Sequence, residues 1–166
     1  MTNFGFTDIL LALLAILLVV AAVIDVRTFT ISNGLNATIA LLAPLYWWSE
    51  SLPLWPDIAL QIGIAAAVFA VLAGTYYIGM MGGGDVKLAA ALALWFSPAS
   101  TVKFLVIMSI AGGVLTAIVL IAHKIRPGRI KNSDGETTGK AEIPYGVAIA
   151  FGALWILAQR FLNHFA

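Results

Sequence analysis

The chain has 166 residues, 61% of them hydrophobic and only 10% charged, with a mean hydropathy of +1.00 and a formal net charge of +1. A soluble domain carries roughly 25% charged residues, so this composition belongs in a bilayer. The small net charge without a basic stripe excludes nucleic acid as a partner, and the absence of cysteine excludes disulfides, thiolate zinc sites and cysteine nucleophiles.

Backbone groups inside lipid must be bonded internally, and long continuous apolar runs select helices over barrel strands. The expectation is one integral membrane domain over 1–166, an all-α polytopic bundle of about six transmembrane helices. The first run follows Met1 to Thr7, which holds no Lys or Arg, so it reads as a retained helix rather than a cleaved signal. Hydropathy places spans near 8–24, 35–49, 57–79, 86–97, 102–122 and 143–161. Pro44 is expected to kink the second, and Pro144 to fit the start of the sixth. The fourth is too short to cross about 30 Å of hydrocarbon and is expected to begin inside the protein, behind the run Gly82-Gly83-Gly84-Asp85.

The basic residues Arg27, Lys87, Lys124, Arg126, Arg129, Lys131 and Lys140 fall on one side of this topology, and Lys103 and Arg160 on the other. The positive-inside rule puts the first side in the cytoplasm and both termini outside. Tyr46, Trp47, Trp48 and Trp55 gather at the opposite side, where an interfacial aromatic belt belongs. His123 to Glu142 reads as a mobile cytoplasmic loop. Small residues such as Gly63, Gly74, Gly112 and Gly113 predict close helix contacts.

Two acids stand at apolar-run boundaries on the same predicted side, Asp25 and Asp85. Three glycines ahead of Asp85 let the backbone turn freely and let another chain approach closely. Two neighbouring carboxyl groups can hydrolyse a peptide bond without a metal or covalent intermediate: one activates water while its protonated partner donates to the carbonyl oxygen. Like charges at such range cannot both ionise cheaply, so the pair shares a proton. The plainer reading makes Asp25 an interfacial anchor beside Arg27 and Asp85 a helix cap. A phosphate-cradling loop would want a following Lys-Ser/Thr and no central acid.

Three segments carry a resemblance: Gly82-Gly83-Gly84-Asp85-Val86-Lys87-Leu88, Asp25-Val26-Arg27 followed by Ile31-Ser32-Asn33, and Ile143-Pro144-Tyr145-Gly146. The chain resembles the bacterial type IV prepilin peptidases, membrane aspartic proteases of the GxGD type, and is most similar to the short forms serving Flp or Tad pili. Ser32 stands where that family usually has proline. The resemblance implies that Asp25 and Asp85 are catalytic, that no cofactor is needed, and that the substrate is a prepilin-like precursor whose short basic leader is cut at the cytoplasmic face of the inner membrane. It further implies membrane lipid and pilus or secretion assembly components as partners. The longer members' cysteine-bearing insertion has no counterpart here, so the resemblance does not carry over their methylation of the new N-terminus.

Gly82, Gly83 and Gly84 are expected to receive an unwound cleavage segment. Lys87 would orient the leader carbonyl or snorkel, and Tyr145 would border the substrate groove or anchor the sixth helix. Arg27 is expected at headgroups and Asn33 as the cap of the second helix. Two other classes stay open: a proton or cation pathway through the acids, disfavoured because the central helix regions hold no charge, and a non-catalytic assembly factor.

Overall fold

The computed structural model describes residues 4–125 and 143–165; the expected loop near 123–142, with Lys124, Arg126, Arg129, Lys131, Lys140, Asp134, Glu136 and Glu142, lies outside the described residues or side chains. Among the described residues the chain forms six α-helices: α1 (Phe4–Thr28), α2 (Asn33–Ser49), α3 (Ala59–Tyr77), α4 (Gly83–Ala93), α5 (Pro98–Ile125) and α6 (Tyr145–Phe165). A single π-turn, Leu54–Ile58, leads into α3. Four stretches are long and apolar enough to cross a membrane: Gly5–Thr28, Leu54–Tyr77, Pro98–Ala122 and Tyr145–Leu162. The other two helices are shorter, α2 with 17 residues and α4 with 11.

Helix α4 is short yet central, packing against α2, α3 and α6, with Leu88, Ala89, Leu92 and Ala93 fully buried. The long helices instead turn Ile16, Val71 and Ile110 outward, as a lipid-facing surface requires. Two indoles tie α2 to the α4 end: Trp47 Nε1 donates to Leu94 O at 2.8 Å and Trp95 Nε1 to Ile39 O at 3.0 Å. Tyr46 stacks on Trp95 with ring centroids 5.2 Å apart. Tyr46 and Trp47 are therefore buried core residues, and only Trp48 and Trp55 of the expected belt are exposed. An indole buried with its N–H satisfied contributes more than one lying at an interface, which is why tertiary packing claims them.

The turns follow local chemistry. Phe29, at φ +51°, breaks α1, and its N–H still reaches Asp25 O at 2.8 Å. Ser32 then caps α2 by accepting from Leu35 N at 3.3 Å, so the cap is Ser32 and not Asn33. Helix α3 ends in a Schellman arrangement: Gly79 (φ +72°) is left-handed, its N–H bonds Tyr76 O, and Met80 N–H bonds Thr75 O. Of the small residues, Gly112 packs on Tyr145 and Gly152 on Met108, whereas Gly63, Gly74 and Gly113 have open space where a Cβ would stand.

Candidate active site

Asp25 lies in the last turn of α1, Asp85 in the first turn of α4, and both are almost fully buried, 2% and 7% exposed. Helix geometry explains why Asp25 turns inward and Arg27 does not: residues two apart lie on nearly opposite faces, and Arg27 is exposed. The Asp25 carboxylate points at the start of α6, where the N–H groups of Gly146 and Val147 face it. Those amides belong to the first helical turn; the Val147 N–H also reaches Pro144 O at 3.2 Å, and a carboxylate from another helix adds to their cap.

Asp85 stands three residues after the N-cap Gly82, and the Gly82 N–H donates back to its carboxylate. This is the acid half of a capping box. The glycine at the cap leaves room for it, because a Cβ on Gly82 would lie 2.8 Å from Asp85 Oδ2. The other two glycines do different work. A Cβ on Gly84 would lie 2.7 Å from Ile31 O, so its bareness admits the α1–α2 turn, and one on Gly83 would touch the Tyr76 ring at 3.3 Å. None of the three uses a positive φ, so the anticipated backbone freedom is exercised at Gly79 instead.

Ile31 joins the two acids' surroundings. Its backbone abuts Gly84, while its Cδ1 would meet a Cβ on Gly146 at 2.7 Å, and that same Cβ would sit 2.8 Å from Asp25 Oδ2. The acids thus converge around one side chain, and Asp85 lies within the electrostatic reach of Asp25. Each keeps one buried oxygen with no hydrogen-bond partner among the described residues, Asp25 Oδ2 and Asp85 Oδ1. Unpaired carboxylate oxygens at this burial are costly for a purely structural pair.

The lesser residues sort clearly. Lys87 Nζ donates to Asn33 Oδ1 at 2.7 Å, so it is held by α2 instead of reaching Asp85 or snorkelling freely. Tyr145 packs on Gly112, with its hydroxyl 3.5 Å from Thr116 Oγ1, which anchors the start of α6 to α5. Asn36 was not anticipated from sequence: it is buried, and its Nδ2 donates to Gly84 O at 2.9 Å, tying α2 to the glycine loop. The signal for it was a second polar residue one turn after Asn33 within an otherwise apolar run. Glu50 and Arg160 pair at 2.9 Å at the far end of the bundle, away from both aspartates.

No curated protein and no solved structure matches the chain significantly. The model of the type IV leader peptidase family matches residues 12–117, a stretch that takes in both Asp25 and Asp85 and ends before α6. That match covers well over half of the 166 residues, and on it the chain belongs to the type IV leader peptidase family.

Proposed function

We propose that the chain is an aspartic endopeptidase that removes the short basic leader from type IV prepilin-like, Flp-type precursors, with Asp25 and Asp85 as its catalytic pair. One observation carries this reading: two buried carboxyl groups, contributed by different helices, each retain an oxygen without a hydrogen-bond partner among the described residues. One carboxylate takes a proton from water as the water oxygen attacks the scissile carbonyl. The protonated partner donates to the carbonyl oxygen, and collapse of the tetrahedral species breaks the C–N bond as the amine gains a proton. Gly82, Gly83 and Gly84 support the site by admitting the Asp85 carboxylate, the Tyr76 ring and the Ile31 backbone in turn. Lys87, fixed by Asn33, and Tyr145, through the α6 start that faces Asp25, support the site.

The charge distribution favours a cytoplasmic location for the acids, with both termini across the inner membrane, in a role supporting pilus biogenesis or secretion. That is where a basic leader preceding an apolar helix would be held. The test is cleavage of a prepilin bearing a Lys/Arg-rich leader by the purified protein in detergent. Asp25→Asn and Asp85→Asn should each lower the rate by at least about 10²-fold while thermal unfolding still shows a folded protein, since losing one catalytic proton-transfer group costs roughly 10²–10⁴-fold. Wild-type cleavage by either variant refutes the assignment.

A further inference from the structure

Asn36 is polar at a place in the α2–α4 interface where leucine would fit. It is 4% exposed, its Nδ2 donates to Gly84 O at 2.9 Å, and its Oδ1 has no hydrogen-bond partner among the described residues. A buried amide with half its capacity unmet is a poor device for stability, because leucine has nearly the same shape and leaves no orphaned oxygen. The Gly84 carbonyl does not depend on the bond either. Gly84 lies in the first turn of α4, where a carbonyl accepts from the N–H one turn later. The Asn36 amide is thus an additional tie, made at the residue immediately before Asp85.

What that tie fixes follows from backbone geometry. The Gly84 carbonyl and the Asp85 nitrogen share one planar peptide unit, so holding the oxygen holds the plane from which Asp85 projects. Three consecutive glycines lead into this plane, and glycine has more torsional freedom to restrain than any other residue. A second bond from α2 lies on the other side of Asp85: Lys87 Nζ donates to Asn33 Oδ1 at 2.7 Å, but that pair is exposed and water competes for it. The buried bond is the firmer of the two. On the peptidase reading proposed above, we infer that Asn36 is a positioning residue for Asp85, its amide setting the direction in which the Asp85 carboxyl group leaves α4.

The charge that acts on Asp85 is Asp25. The other titratable groups on the surrounding elements are engaged or distant. Lys87 is turned to Asn33, the Tyr76 ring abuts Gly83, the Tyr145 hydroxyl faces Thr116, and Arg27 and Tyr77 are exposed. Asp8, Tyr46, Glu50 and Arg160 lie toward the far end of the bundle. Without the Asn36 amide, repulsion between the two acids is free to move Asp85 outward. Their coupling then weakens, and the pair gives up its shared proton at lower pH.

The experiment measures prepilin cleavage by the purified full chain in detergent, as kcat and KM across pH, beside thermal unfolding. Asn36→Leu should unfold close to the wild-type temperature, yet lose about tenfold or more in kcat with KM held within about twofold, as for a misplaced reacting group. The high-pH limb of its kcat/KM profile should move to lower pH. Asn36→Ala, if the smaller side chain lowers stability, should show the same kinetic changes. Trp95→Phe is the comparison, since it removes a bond between α2 and the far end of α4: it should lower the unfolding temperature and leave the high-pH limb in place. Wild-type kcat with an unmoved limb in Asn36→Leu overturns the inference, as does a rise in KM alone or an equal limb shift in Trp95→Phe. Asp85→Asn is measured in the same series. If it is inactive while Asn36→Leu matches the wild type, only the positioning role falls; if it cleaves fully, the peptidase reading falls and this inference with it.

Discussion

Replacing Gly146 by alanine adds one methyl group at the point where α6, Ile31 and Asp25 meet. Its Cβ would stand 2.7 Å from Ile31 Cδ1 and 2.8 Å from Asp25 Oδ2, about 0.6 Å inside ordinary contact for the oxygen. Ile31 Cδ1 is the end of a side chain and can swing aside at about 0.5–1.5 kcal/mol. Asp25 has less freedom, because its carboxylate is held against the α6 amides. The stability loss should therefore be modest, about 1–3 kcal/mol as for other overpacked interiors. The kinetic loss should be of similar size in free energy, because a 1 Å misplacement of a reacting group costs roughly 10²-fold and 0.6 Å should cost about tenfold or more. Cleavage kinetics of a prepilin and thermal unfolding, measured side by side, check both figures. Gly113→Ala is the control: nothing lies within 4 Å of its Cβ, and alanine favours a helix over glycine by about 0.5–1 kcal/mol. A Gly146→Ala protein that cleaves at the wild-type rate refutes the placement of Asp25 in the reaction.

Three other outcomes follow from the same geometry. Gly84→Ala should be worse folded than Gly146→Ala, because its Cβ meets Ile31 O at 2.7 Å and Ile31 N at 3.1 Å, backbone atoms that cannot rotate away; yield and unfolding temperature decide it. Ser32→Pro should be near neutral: Ser32 already has φ −66° and ψ 144°, so proline's reduced unfolded-state freedom, about 0.4–1 kcal/mol, offsets most of the lost cap, about 1 kcal/mol. Ser32→Ala, with no such compensation, should melt lower than either. Trp95→Phe removes the bond to Ile39 O and part of the stack on Tyr46, and should cost about 1–3 kcal/mol in thermal unfolding.

The helices were readable because lipid imposes long apolar runs, and even the abbreviated α4 was foreseeable from its glycine-led start. What the glycines do was not. Their run suggested a flexible turn, but each is bare for a separate contact, with Asp85, with Tyr76 and with Ile31, and those contacts come from segments up to about fifty residues away. The Asn33 expectation failed for a local reason, since Ser32 stands one position earlier with the extended dihedrals a cap needs. Tyr46 and Trp47 were misplaced because periodicity cannot distinguish an aromatic that faces headgroups from one that faces α4. Both aspartates were visible in the sequence, yet the side chain between them, Ile31, carried no mark of its position.

The two acids ride on supports of very different length. Helix α1 has 25 residues, about 38 Å, and turns a hydrophobic face outward, whereas α4 has 11, about 16 Å, and is enclosed by its neighbours. A thicker or thinner bilayer acts on α1 directly, by tilting it to match, and reaches α4 only through the helices around it. Acyl-chain length would thus change the offset between the carboxyl groups rather than their shared depth, and reconstitution into lipids of graded chain length should reveal a thickness at which they are best aligned.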